Sequence, residues 1–338
     1  MAEKWIRRKG TKERGFRYEG PDGKPVRNKA VRERIDLLRI PPAWADVHIA
    51  VSTRAAIQVW GFDARGRKQY RYHPRAVEKG ELRKYYRVRQ MAKELPQLRK
   101  RFFRDLALPD FPRDRVCAGI VLLISHAWFR IGSDKYEKEN NSFGITTLRK
   151  SHVTDTPDQI IFEYRGKRGI DHRQFVTEPR LIHFVRALIN TPGKRTRLFR
   201  YREGKKWVNV DSHEVNEYIE RVADFPYTAK DFRTWGGSLR AATVLSDLGP
   251  ARSKSVRSKN VLTTVRVVAA ELGNTPAICR KSYVHPMILT RYLRNGSTID
   301  VPRRRGSTSP SRHSPEEIAL IDFLDEHFPD RRKERRSA

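Results

Sequence analysis

The chain reads as an α+β protein: a small β-rich N-terminal domain, then a larger, mainly α-helical domain carrying a small β-sheet. Three observations predict this. Short alternating runs punctuated by Gly and Pro fill residues 38–72. Long stretches free of breakers begin at Glu81. Two further alternating runs flank the turn Arg165–Gly169, and helical text resumes after Pro179.

Taken in order, residues 1–25 are polar and basic, with Gly10, Gly15, Gly20, Pro21 and Gly23, and read as a flexible basic arm. Residues 26–85 form the β-rich domain. Pro41 and Pro42 bar a helix, Val47–Val51 alternates, and Ile57–Trp60 leads through the turn Gly61–Gly66 into a strand at Lys68–Tyr72. Residues 86–300 form the larger domain. A charged helix is expected over Glu81–Phe103 and an apolar core helix over Val116–Ile131. The apolar run Ala118–Phe129 is too short to span a bilayer. A β patch follows at Gly144–Leu148, Gln159–Tyr164 and Ile170–Val176, and then helices to about residue 295. Residues 301–338 comprise a Pro/Ser/Arg linker to residue 314 and a short amphipathic helix through Phe328. Ser314 is its N-cap and Pro315 its first residue, with acids in the first turn. The apolar stripe Ile318, Ile321, Leu324, Phe328 requires a surface to dock on.

Charge narrows the partner. The 338 residues hold 71 Lys and Arg against 39 Asp and Glu, a net charge of +32. Residues 302–338 contribute nine basic and seven acidic residues, so the surplus sits on the folded body. Such self-repulsion points to a polyanion, with nucleic acid ahead of a membrane surface. Cys117 and Cys279, both in apolar helical patterns, read as buried thiols of a reducing, intracellular compartment. Two lone cysteines lack the spacing of a metal site, and the N-terminus lacks the apolar segment of a secretion signal.

Five positions are candidates for chemistry. Arg130 follows the core helix, with Gly132 marking its stop; alone, it fits a surface arginine equally well. Lys167 lies in the Gly-flanked turn, able to reach into a groove or to stand in solvent. Arg233 precedes Gly236 and Gly237, which permit close approach; an ordinary helix-surface arginine is the alternative. Asn274 follows Gly273 at a helix stop, as donor or as cap. Tyr283 alone is an ordinary tyrosine. Beside spaced arginines, its hydroxyl becomes a candidate nucleophile for a phosphodiester whose charge they would hold.

In that order, Arg130, Lys167, Arg233, Asn274 and Tyr283 resemble the active-site order of the poxvirus-like type IB DNA topoisomerases, in their bacterial branch. The stretch 130–148 resembles the family's first signature, 162–169 its lysine hairpin, and 230–235 its second-arginine helix. Residues 63–73 are similar to its DNA-facing N-terminal strand, and the resemblance spans roughly residues 30–295. Many members carry His where this chain has Asn274. The bacterial branch tolerates Asn there, and since Asn cannot ionise, this implies a hydrogen-bond donor to phosphate.

The resemblance implies a tyrosine recombinase/topoisomerase IB-like catalytic domain over residues 86–300. It implies an enzyme that relaxes supercoiled duplex DNA through a 3′-phosphotyrosyl intermediate, without ATP, metal or other cofactor. Tyr283 would be the nucleophile, Arg130 and Arg233 the phosphate clamp, Asn274 a neutral donor and Lys167 the general acid. Gln69, Tyr70, Tyr72, Lys135 and Tyr136 would contact the DNA. A monomer closing around duplex DNA, preferentially supercoiled, in the cytoplasm at a bacterial nucleoid is the implied setting. Two alternatives stay open. A tyrosine site-specific recombinase shares the Arg-Lys-Arg-Tyr chemistry, although Lys230 occupies the slot where its second-arginine motif usually has His. A non-catalytic basic DNA-binding protein fits the charge alone.

Overall fold

A computed structural model describes residues 5–301, 309 and 311–328. Most of the expected linker, residues 302–308 and 310, lies outside the described residues. The chain forms two compact units, Met1–Lys84 and Tyr85–Ala338.

The first unit is a five-stranded antiparallel sheet with one helix. Its elements are β1 Trp5–Thr11, β2 Gly15–Glu19, α1 Lys29–Leu37, β3 Ala45–Ala50, β4 Ile57–Phe62 and β5 Lys68–Tyr72, in sheet order β2-β1-β3-β4-β5. Ile6, Val47, Ile49 and Val59 from one sheet face bury themselves with Ile35 of α1. The expected flexible arm over residues 1–25 is corrected here, because residues 5–19 form the β1–β2 hairpin. Its polar composition hides the alternation: Ile6 points into the core while Arg7 and Lys9 face solvent. Arg8 then satisfies the helix-free loop at Pro41 and Pro42, donating to their carbonyls at 3.2 and 3.3 Å and lying 4.1 Å over the Phe16 ring.

The helix α2 Pro74–Leu106 outruns the expected span at both ends and continues through Pro96. Proline has no N–H for the carbonyl four residues back. His313 fills that gap, with Nε2 2.7 Å from the Ala92 carbonyl oxygen.

The second unit surrounds α3 Arg113–Ala127, whose residues Val116–Ile124 are all buried. Gly119 permits this, since a Cβ there would fall 2.1 Å from the Phe184 ring. The helix stops four residues before the expected end because Trp128 adopts a left-handed backbone, φ 56°. Around it stand α4 Asp134–Asn140, strands β6 Val153–Asp155, β7 Ile160–Arg165 and β8 Asp171–Val176, α5 Pro179–Ile189, β9 Arg200–Glu203 and β10 Lys206–Asn209. Helices α6 Ser212–Ala223, α7 Ala229–Leu248, α8 Lys254–Leu272, α9 Pro276–Ser282, α10 Pro286–Asn295 and α11 Pro315–His327 complete it.

Two sequence expectations change. Gly144–Leu148 is a turn of 3-10 helix, not a strand: Ile145 and Thr146 donate to the carbonyls of Arg130 and Ile131, so no strand partner is available to them. The text after Pro179 is interrupted by the β9–β10 hairpin, turned at Gly204 with φ 57°. Its alternating charges read as helix surface.

The last helix keeps its expected cap, with Ser314 accepting from Glu317 N at 3.2 Å. Its buried face is shifted from the expected stripe: Glu317, Ala319, Leu320, Ile321, Phe323 and Leu324 are buried, the helix packs against α7, and Ile318 and the capping residue Phe328 are half-buried. Glu317, 4% exposed, takes both arms of Arg99 at 2.7 and 2.8 Å and Trp235 Nε1 at 3.3 Å. Glu317→Ala is expected to lower unfolding stability by about 3 kcal/mol, because it strands a part-buried guanidinium. A urea midpoint shift at constant m measures it.

Candidate active site

The site is organised around the C-terminal end of α8, where the last carbonyls of any helix lack partners. Arg233 donates from Nη2 to the carbonyl of Leu272 at 3.0 Å. Arg130 donates from Nη2 to the next carbonyl, Gly273, at 2.6 Å, and to Asn274 Oδ1 at 2.7 Å. Two guanidinium groups are thus held by a helix terminus carrying negative partial charge. Among the described residues, no carboxylate forms an ion pair with either arginine.

Local sequence explains how three segments meet here. On α7, Asp231 completes a capping box with Thr228, and Arg233 follows on the buried face, 4% exposed. One turn on, two glycines leave room for neighbours. A Cβ at Gly236 would fall 2.3 Å from Trp128 Nε1, which begins the Arg130 segment. At Gly237 it would fall 3.2 Å from Tyr283 Cβ. Ser238 ties the tyrosine backbone to the same helix, donating to the Tyr283 carbonyl at 3.1 Å and accepting from His285 N at 3.0 Å. Tyr283 caps the short α9 and is half-buried, with the Arg233 guanidinium 5.4 Å from its ring centroid.

Gly273 carries φ 61° to end α8, and Asn274 is the next residue, not itself the left-handed cap. Two buried donors at the site have no hydrogen-bond partner among the described residues: Arg233 Nε and Asn274 Nδ2. Burial lowers the pKa of both arginines, and for Arg233 the charge of Arg130 adds to it. A guanidinium stays charged regardless. The site is a charged, partly unsatisfied cradle, and a bound anion would relieve it.

The sequence reading did not include His172. On β8, its Nε2 lies 3.2 Å from Arg130 Nη1, and burial with Arg130 and Arg233 nearby pushes its pKa down to about 4. A lone histidine five residues beyond Lys167 carries no spacing signal. Only the hairpin register, pairing His172 with Tyr164, aims it at the site. Gly273 faces this ring, and a Cβ there would fall 1.9 Å from His172 Cε1. Gly273→Ala is therefore expected to cost about 2 kcal/mol or more, from a left-handed alanine plus overpacking. Urea unfolding reads that loss.

The structure places Lys167 apart from this cluster. It stands exposed in the β7–β8 turn, its Nζ 5.9 Å from the Tyr136 ring centroid, and no hydrogen bond ties it to the arginines among the described residues. Tyr136 is 47% exposed on α4, and Lys135 pairs with Glu139 at 3.8 Å. In the first unit, Tyr70 and Tyr72 are 41% and 52% exposed with stacked rings 5.8 Å apart, so neither is a packed core residue. Gln69 projects to the opposite face and donates to Asp63 Oδ2 at 3.0 Å. Cys117 and Cys279 are buried free thiols, and burial raises the Cys279 pKa to about 11. No described helix is long and apolar enough to cross a membrane.

Comparison with known proteins places this geometry. Residues 73–300 match the eukaryotic DNA topoisomerase I catalytic core, and residues 15–63 match the bacterial DNA topoisomerase IB N-terminal domain. The chain is 33% identical over 272 residues to DNA topoisomerase 1B of Acanthamoeba polyphaga mimivirus, covering 78% of this chain and 80% of that one. It is 24% identical over 249 residues to DNA topoisomerase 1B of Vaccinia virus strain Copenhagen, covering 71% and 74%. DNA topoisomerase 1 of Schizosaccharomyces pombe is 26% identical over 170 residues, which is 50% of this chain and 20% of that protein. With a helical core that gathers two arginines, an asparagine and a tyrosine, and with matches across both units, the chain belongs to the type IB DNA topoisomerase family.

Proposed function

We propose that this topoisomerase relaxes supercoiled duplex DNA as a single chain, by transient cleavage of one strand through Tyr283, without ATP or a metal ion. The observation that carries the reading is the cradle beside Tyr283: two arginines without carboxylate partners, and a buried Asn274 amide with an unused donor, among the described residues. Tyr283 Oη gives up its proton to water and attacks the phosphorus, and the bond to the 5′-oxygen breaks. The products are a 3′-phosphotyrosine and a 5′-hydroxyl. Arg130 and Arg233 hold the non-bridging oxygens as charge builds in the transition state, and Asn274 Nδ2 adds a neutral donor.

Lys167 protonates the leaving 5′-oxygen, since an alkoxide is a poor leaving group. Its turn is flanked by Gly166 and Gly169 and its own side chain is exposed, so the lysine meets the scissile bond once DNA lies against it. Tyr70, Tyr72, Lys135 and Tyr136 offer exposed aromatic and basic contacts to the duplex, and Gln69 offers an amide. Resealing is the reverse attack by the 5′-hydroxyl, with the bond energy held in the phosphotyrosine while the free strand swivels.

End chemistry tests this. Supercoiled plasmid relaxed in EDTA without nucleotide, then stopped with SDS, should carry protein on a nicked strand. Its free end should be a 5′-hydroxyl that kinase labels without prior phosphatase, and the 3′ end should be blocked to terminal transferase. A free 3′-hydroxyl at the nick, or relaxation only with ATP or Mg²⁺, overturns the proposal. Binding should also weaken with salt, log K falling by roughly 0.9 per neutralised phosphate per log unit.

A further inference from the structure

Arg130 reaches the site from an irregular segment, two residues past the left-handed Trp128, so no helix backbone dictates where its fork points. Three acceptors do. Two of them, Gly273 O and Asn274 Oδ1, both take Nη2 and come from one loop. The third, His172 Nε2, takes Nη1 and comes from a different element. One arm alone leaves the guanidinium free to pivot about that arm; two arms held from two sides do not.

The surroundings of His172 are shaped to its ring. It stacks on Tyr164 at 5.1 Å with planes 12° apart. Tyr164 Oη donates to Gln174 Oε1 at 2.7 Å, and Gln174 Nε2 donates to the Ala127 carbonyl at the end of α3. The hairpin is thereby pinned to the helix from which the Arg130 segment leaves. Both flanks of the ring are glycines: a Cβ at Gly166 would fall 2.4 Å from His172 Cδ2, and one at Gly273 would fall 1.9 Å from Cε1.

We infer that His172 is a positioning residue of the cleavage reaction, a neutral acceptor that fixes the second arm of Arg130 so that its remaining N–H groups face the phosphate. Neutrality is the point. A carboxylate would hold the arm as well, but would also compensate the charge that the phosphate needs. Burial and the two arginines hold the imidazole deprotonated above about pH 4, so Nε2 keeps its lone pair for Arg130 and the ring proton sits on Nδ1. An acceptor at Nε2 supports the function proposed above, and the inference rests on that reading.

The experiment is single-turnover strand cleavage by the full chain on a duplex with saturating enzyme, with DNA affinity measured separately. His172→Ala is expected to slow cleavage by about 10- to 100-fold, the scale of lost support to a reacting group, while DNA affinity stays unchanged. His172→Gln, whose Oε1 reaches about as far as Nε2, should recover most of the rate. In an Arg130→Ala background, adding His172→Ala should slow cleavage no further, because the arm it holds is gone. His172→Leu, of similar volume without an acceptor, replaces the alanine variant if that one unfolds. A glutamine variant as slow as alanine or leucine, or a further slowing in the Arg130→Ala background, overturns the role. Wild type that forms no adduct overturns the proposed function itself. Wild type that cleaves beside an unaffected His172→Ala overturns this inference alone.

Discussion

Replacing Tyr283 with phenylalanine is expected to abolish the SDS-trapped adduct and to reduce plasmid relaxation by about 10⁴-fold or more, the scale on which a covalent nucleophile acts. The same change should leave the fold intact. The contacts that hold this residue run mainly through its backbone and its ring: Ser238 to the carbonyl, N–H to the Cys279 carbonyl at 3.0 Å, and the ring under Arg233. Phenylalanine keeps all three and loses only the hydroxyl's hydrogen bond with Arg233. Thermal unfolding should therefore shift by no more than the worth of one hydrogen bond, about 1 kcal/mol, and DNA affinity should persist. A Tyr283→Phe protein that still relaxes plasmid would remove Tyr283 from the mechanism.

The second large effect has opposite signs on activity and stability. Arg233 is a charge 4% exposed, held by the Leu272 carbonyl and the Tyr283 side chain, and among the described residues it has Arg130 beside it and no carboxylate. Removing one preorganised phosphate donor should slow cleavage by about 10²- to 10³-fold. Burying an unpaired charge is costly for the folded state, whereas the lost bonds to Leu272 and Tyr283 are worth about 1 kcal/mol each. Arg233→Met should thus be far less active, yet as stable as wild type or more so. Inorganic phosphate or vanadate should raise the wild-type melting temperature more than that of the variant, through linkage to an anion that fills the cradle. A loss of more than about 2 kcal/mol in Arg233→Met, against these terms, would mean that the arginine serves the fold and not the phosphate.

Legibility in the sequence followed the range of the interaction. The β7–β8 hairpin and β3 to β5 declare themselves through period-2 alternation and turn residues, and the α11 cap through Ser314, Pro315 and Glu317, all within a few positions. The β1–β2 and β9–β10 hairpins did not, because their exposed faces are basic and only one side chain in two reports burial. Gly144–Leu148 reads as a strand by residue type, but its N–H groups are taken by the Arg130 segment, a partner no local window contains.

The candidate site divides the same way. Tyr283, Arg233, Asn274, Lys167 and Arg130 were named from motif order, and the two glycines after Arg233 from their permissive size. What each side chain touches was not readable. The structure joins Arg130 to Asn274 and Arg233 to Tyr283, leaves Lys167 in solvent beside Tyr136, and adds His172.

By itself, then, the sequence determined the α+β class, the family and the partner's sign of charge, since these are written in local periodicity, motif spacing and composition. Only the tertiary structure decided that two arginines sit on the end of α8 with no carboxylate partner among the described residues and with a neutral imidazole beside Arg130. That arrangement depends on the stop at Trp128, the missing side chains at Gly236, Gly237 and Gly273, and the register of one hairpin. These are packing relations between segments as much as 144 residues apart, and hydrogen-bond partners from separate segments leave no periodic trace in the chain that makes them.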